Sequence, residues 1–260
     1  MMDTENGLVL KMMTTIVLTN SINVAPSLMI SSPPLKKRYK MKEKDSFALY
    51  LALMFSGGFM GAYSYILKGG VFANAETANC LQLGYNLALG NMARVWLLFG
   101  LVITYFIGSF VSEVCLEYFK DHNITISWQA IATYFSVLLL IVVGLLPTTA
   151  PDVYTHVIIT YTSATLYNTF RKSGGLAMST VFCTAHLREA GVNAAKALVS
   201  KDKRHAKASL KHALMVASFI FGTYISALCI SALLERAIFV NVALNLVIAI
   251  LLTLRDLKQR

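Results

Sequence analysis

The chain of 260 residues is 56% hydrophobic and only 14% charged, with a mean hydropathy of +0.61, which excludes an ordinary soluble globule and defines an integral membrane protein. Its formal net charge of +10 reads as cytoplasmic loops facing anionic lipid. Nucleic acid is set aside as a partner because no basic stripe is interleaved with exposed aromatics. The cysteines Cys80, Cys115, Cys183 and Cys229 lie in or beside apolar segments without paired spacing, so they read as packing residues and not as a disulfide or zinc framework.

Residues 1–40 form no convincing span. The stretch Leu8 to Ile30 is interrupted by Lys11, Asn20, Asn23 and Pro26, and is expected to be a disordered tail or an over-extended start, with an amphipathic surface segment as the alternative. The dense run Lys36, Lys37, Arg38, Lys40, Lys42 and Lys44 then places the N-terminus in the cytoplasm. Residues 41–260 are expected to form a single transmembrane domain. A bilayer core of about 30 Å needs roughly 20 apolar residues as helix. Six stretches approach this: 47–67, 95–116, 128–147, 153–170, 213–234 and 237–254. The fourth is the least hydrophobic, carrying His156 and several threonines.

Between the first and second spans lies Gly69-Gly70-Val-Phe-Ala-Asn-Ala-Glu76-Thr77-Ala78-Asn79, and a degenerate copy starts at Gly174-Gly175 between the fourth and fifth. Both copies continue to Thr-Ala followed by Asn79 or His186, and both reach a glycine (Gly84, Gly191) seven residues after the threonine. With one such element in each half, about 45–147 and 152–255, the chain reads as an internal repeat. If the elements do not cross the bilayer, each half has three spans and the repeat is inverted, as in many secondary transporters. If they do cross, there are eight spans and the repeat is parallel. Charge favours six, because Arg171 and Lys172 then lie inside together with the basic stretch Lys201 to Lys211 and the C-terminus. The expected fold is therefore all-α and polytopic, with six spanning helices, two short glycine-started polar elements and both termini cytoplasmic in the cell membrane.

Polar residues at membrane depth are costly and mark candidate sites. Glu76 leads, directly before Thr77, which is placed to cap a short helix whose positive end faces a solute. Thr77, Asn79, Thr184 and His186 join it from the two elements, and Arg171 is a candidate partner for Glu76 or for an anionic solute. The competing interpretation is structural: glycines for close helix packing, Thr and Asn bonded to neighbouring backbone, and Arg171 anchoring a helix end. Cys183 and His186 share a helix face, but two ligands without a third do not make a zinc site. Glu113 and Glu117 are expected at the headgroups, and His156 bonded to a neighbouring helix. No Walker, Rossmann, H-E-x-x-H or G-x-S-x-G motif occurs, so neither an enzyme nor a cofactor is expected.

Gly57-Gly58-Phe59-Met60-Gly61-Ala62-Tyr63-Ser64-Tyr65, Gly69-Gly70-Val71-Phe72-Ala73-Asn74, and Phe170-Arg171-Lys172-Ser173-Gly174-Gly175-Leu176 with Cys183-Thr184 and Leu187-Arg188 resemble the YoaK-like family of bacterial membrane proteins. The resemblance covers about residues 41–260. It implies a domain of unknown function with six transmembrane helices, and no activity. The family often carries Asp where this chain has Gly61, and Thr-Gly-Asn where it has Thr77-Ala78-Asn79 and Thr184-Ala185-His186. These readings lead to a small-molecule or ion permease, with a small polar or anionic solute as the candidate partner and the two elements meeting near the membrane midplane. The alternative is a non-transporting scaffold or regulatory membrane protein.

Overall fold

The computed structural model describes residues 47–122, 124–173, 176–177, 180 and 183–258. The expected tail at 1–40, the basic run through Lys44 and the Gly174-Gly175 pair lie outside them. Eight α-helices occur among the described residues: α1 Phe47–Leu67, α2 Glu76–Ala88, α3 Met92–Asp121, α4 Trp128–Leu145, α5 Asp152–Thr169, α6 Cys183–Ser200, α7 Lys203–Leu233 and α8 Ile238–Lys258. A 3-10 turn, Leu234–Ala237, joins the last two. Two-residue strands, β1 Lys172–Ser173 and β2 Leu176–Ala177, pair antiparallel ahead of α6.

Local chemistry sets most boundaries. The α3 N-cap is Asn91, whose side chain accepts from the Arg94 backbone N–H, and Ser127 does the same for Ala130 at α4. Asp202 caps α7 by accepting from the Arg204 backbone N–H at 2.8 Å. That cap, followed by Ala206, Ala208 and Leu210, turns most of the expected basic loop Lys201 to Lys211 into helix, so α7 starts ten residues before the predicted span at 213. At the end of α1, Gly69 and Gly70 take φ of +64° and +67°, a left-handed pair that a side chain would strain.

Four helical runs are long and apolar enough to cross a membrane by length and composition: Phe47–Leu67, Met92–Lys120, Trp128–Leu145 and Lys203–Lys258, the last holding both α7 and α8. The 18-residue α5 falls outside this set because His156 and its threonines dilute it. Two-thirds of the α1 window is buried, 67%, against 28% for α3, so α1 is central and α3 peripheral. On α3 the outward face is aromatic, with Trp96, Phe99, Phe106, Phe110 and Tyr118 exposed.

The packing pairs are α1 with α7, α3 with α5, and α4 with α8, while α1, α8, α4 and α5 close a ring in which each packs on the next. Side-chain contacts fix the directions. Along α1 and α7, Ser218 bonds the Leu51 carbonyl, Thr223 that of Gly58 and Ser226 that of Phe59, so the two helices run parallel. Helices α3 and α5 are also parallel: Gly108 abuts Tyr161 and Ala164, and Ser112 bonds Thr165 and Thr169. In contrast α1 and α5 are antiparallel, because Tyr50 meets Phe170 at one end while Lys68 pairs with Asp152 at the other. The α4–α8 pair is antiparallel too, with Ser127 against Asp256 and Gly144 against Ile238.

Candidate functional site

The segment after α1 does not stay at the surface. Val71, Ala73 and Asn74 are buried inside the bundle. Asn74 Nδ2 donates to the Gly57 carbonyl at 2.9 Å, Thr160 Oγ1 donates to the Ala73 carbonyl at 2.6 Å, and the Ala73 N–H donates to Ser64 Oγ at 3.3 Å. Gly57 is ten residues from the end of α1 and Thr160 eight from the start of α5, which at 1.5 Å per residue places the segment roughly 12–15 Å inside the helix ends. Gly61 makes this entry possible, since a Cβ there would stand 2.9 Å from Asn74 Oδ1.

Helix α2 therefore begins within the bundle and climbs back along α3. Its N-cap is Ala75, with no side-chain cap, while Ala75 O accepts from Ala78 N and Asn79 N. The expected cap, Thr77, is instead the second residue of the helix and is exposed. Asn74, the better capping residue, is committed to Gly57 on α1. Glu76 occupies the first turn, half-buried. Its Oε2 accepts from Asn79 Nδ2 at 3.3 Å, and its Oε1 is buried without a hydrogen-bond partner. Burial pushes the carboxyl up to about 7, and the Asn79 bond opposes this only in part. Asn79 is 0% exposed, donates also to the Phe72 carbonyl, and has an unpartnered Oδ1. Tyr105 of α3 lies within electrostatic reach of both Glu76 and Tyr167.

The second element ends in the same way. Thr184 is exposed in the first turn of α6, and His186 is the buried residue of that helix, as Asn79 is of α2. His186 Nδ1 lies 2.8 Å from His212 Nδ1 on α7, both rings almost wholly buried. One ring must therefore donate and the other accept. Glu76, Thr77 and Asn79 are thus gathered at the start of α2, and Thr184 and His186 at the start of α6. No extensive packing interface joins α2 to α6 among the described residues. Arg171 belongs to neither group: it pairs with Glu113 and donates to the Asn168 carbonyl and side chain, so in place of the candidate pairing with Glu76 it links the ends of α3 and α5, in keeping with the helix-end alternative. Glu117 pairs with Lys120, and His156 bonds the Lys68 backbone. Cys183 and His186 gather no third ligand, since no group of three or more His, Cys, Asp or Glu suited to a metal occurs among the described residues.

Sequence reasoning missed Asn74, Ser64 and Thr160, which hold the entering segment, and His212, which receives His186. A lone histidine where a basic helix turns apolar, and hydroxyls in the least hydrophobic span, are the signals that point to them.

Apolar helices of this length, several with polar interiors and aromatic outer faces, are those of a membrane protein. The chain belongs to the DUF1275 family, described as proteins of unknown function, whose model matches residues 49–251. No curated protein and no solved structure matches it.

Proposed function

We propose that the protein is a six-span permease of the cell membrane, both termini cytoplasmic, in which α2 and α6 are half-helices entering from opposite faces and the two halves form an inverted repeat. Helix directions support this reading. With α1, α4 and α7 running one way and α3, α5 and α8 the other, an even number of crossings must separate α1 from α3, so α2 enters and leaves on one side. At 13 residues it is also about 20 Å long, short of a bilayer core. Exchanging the halves maps the α1–α7 pair onto α5–α3 and the α2–α3 hairpin onto α6–α7. The fold and six-span count implied by the YoaK-like resemblance agree with this arrangement.

The observation that carries the functional reading is Glu76 Oε1, buried and unpartnered at the positive end of a helix that starts inside the bundle. An ionised Glu76 answers that end itself; once protonated, it leaves the first-turn N–H groups to a solute anion. The chemistry fits the joint passage of a proton and a small polar or anionic solute. The test is flux into liposomes holding a pH-sensitive dye and the full chain, with inward gradients of lactate, formate and inorganic phosphate as probes. Protein-dependent acidification that falls at least tenfold in Glu76→Gln is the expected result. Equal flux in the variant sinks the assignment of Glu76. The lack of an extensive interface between α2 and α6 among the described residues favours the second reading, a scaffold or regulatory membrane protein. Folded protein that moves none of the three probes would decide for it.

A further inference from the structure

A cleft of about 680 Å³ opens at the end of the bundle where α4 finishes and the α7–α8 turn begins. Its walls are Leu145, Leu146, Leu233 and Phe239, and Glu235 and Arg236 bring a carboxylate and a guanidinium to it from consecutive positions. Neither charge has an ion-pair partner among the described residues. The turn that presents them is firmly held: the Tyr63 hydroxyl on α1 donates to the Glu235 carbonyl at 2.9 Å, and Leu234 is kept at φ +50°, a conformation costly for a branched side chain. At the floor, Gly144 admits Ile238 and Phe239 so closely that a Cβ would stand 2.6 Å from the Phe239 ring.

We propose that this cleft binds the headgroup of a zwitterionic phospholipid whose amine is a primary ammonium. The volume lies in the range of small-molecule sites. The carbonyl ends of α4 and α7 converge here, and with Glu235 they favour a hydrogen-bond-donating cation. Arg236 offers the planar fork that suits a phosphate. Consecutive Cα atoms lie about 3.8 Å apart, a scale that matches an ammonium and a phosphate separated by two carbons. The apolar walls lie where two spans meet the headgroup layer, which selects a lipid over a free solute. The site is distant in sequence from Glu76 and independent of the transport reading.

The test uses the full chain in mild detergent with an equimolar mixture of phosphatidylethanolamine, phosphatidylglycerol and phosphatidylcholine of matched acyl chains, scored by native mass spectrometry. Phosphatidylethanolamine is expected to be retained above its share of the mixture. Glu235→Gln is expected to cut that retention by roughly threefold or more, and Arg236→Gln to lower retention of all three lipids, as befits half-exposed charged contacts. The wild-type preference requires no variant to fold. Retention that follows the mixture, or that neither substitution changes, overturns the proposal. So does displacement of the lipid by an equal concentration of glycerophosphoethanolamine, which would assign the cleft to a soluble headgroup.

Discussion

At Glu76 two physical effects oppose each other. The helix N-terminus favours the carboxylate, whereas burial favours the acid and pushes the carboxyl up to about 7 against the Asn79 hydrogen bond. A carboxyl raised in the folded state keeps a proton that the unfolded chain has lost. Its contribution to stability is therefore complete below the unfolded value of 4.5 and is lost as pH rises through about 7. The wild type is expected to melt lower at pH 8 than at pH 5 by an amount that shrinks in Glu76→Gln, the Glu76 share being about 1 kcal/mol after discounting for its exposure. A difference between the two pH values that is identical in both proteins would refute this. The His186–His212 pair makes a separate claim. Leucine at either position leaves the other ring buried with a lost partner and should cost about 1–3 kcal/mol, while the double substitution should cost less than the sum. Additive losses in thermal melts would show that the two rings are not coupled. Asn79 and His186 are legible in the sequence because each directly follows a Thr-Ala pair in one of two similar glycine-started stretches. Asn74 and His212 are not, since their partners come from residues distant in sequence.

Between elements, the closest approach is that of α1 and α7. A Cβ on Gly58 would stand 2.1 Å from the Phe219 carbonyl oxygen, and one on Gly222 at the same distance from that of Phe55. Hydroxyls then bond across the seam, from Thr223 to the Gly58 carbonyl and from Ser226 to that of Phe59. This is small-residue packing, in which glycine brings two backbones together without help from the hydrophobic effect. Gly222→Ala must separate the helices, and we expect a loss of about 1–3 kcal/mol or more, with a matching drop in monodisperse protein on size exclusion. The control is Gly100→Ala on α3, where nothing lies within 4 Å and the better helix former should be neutral or stabilising. Similar behaviour in the two variants would remove the seam from the account. The glycines of the first span are visible in the sequence, but their use is not, because Gly58 serves the α7 seam and Gly61 makes room for Asn74. The boundaries missed by sequence have equally local causes: the Asp202 cap extends α7 into a stretch read as loop, and the β1–β2 hairpin stands where only a glycine-rich approach was expected.

For the molecule as a whole, orientation is the property on which the rest depends. The parallel α1–α7 and α3–α5 pairs and the antiparallel α1–α5 pair define the helix directions relative to one another, whereas the side of the membrane rests on charge. Charge assigns the N-terminus and the basic stretch at 201–211 to the inside under six spans and under eight alike, so they do not separate the two counts. The connection between α3 and α4 does. Six spans put residues 122–127 in the cytoplasm, and the Glu113–Arg171 and Glu117–Lys120 pairs then lie on the same side, near anionic headgroups. Lys68, Asp152 and Arg94, whose guanidinium donates to the Gly69 carbonyl, gather at the opposite face. In a background with the four native cysteines replaced by serine or alanine, the exposed residues Ile124 and Thr148 are the sites to label, one at each end of α4. An impermeant maleimide should reach Thr148→Cys in intact cells and Ile124→Cys only after permeabilisation. Labelling of Ile124→Cys from outside would overturn the six-span count with its cytoplasmic N-terminus.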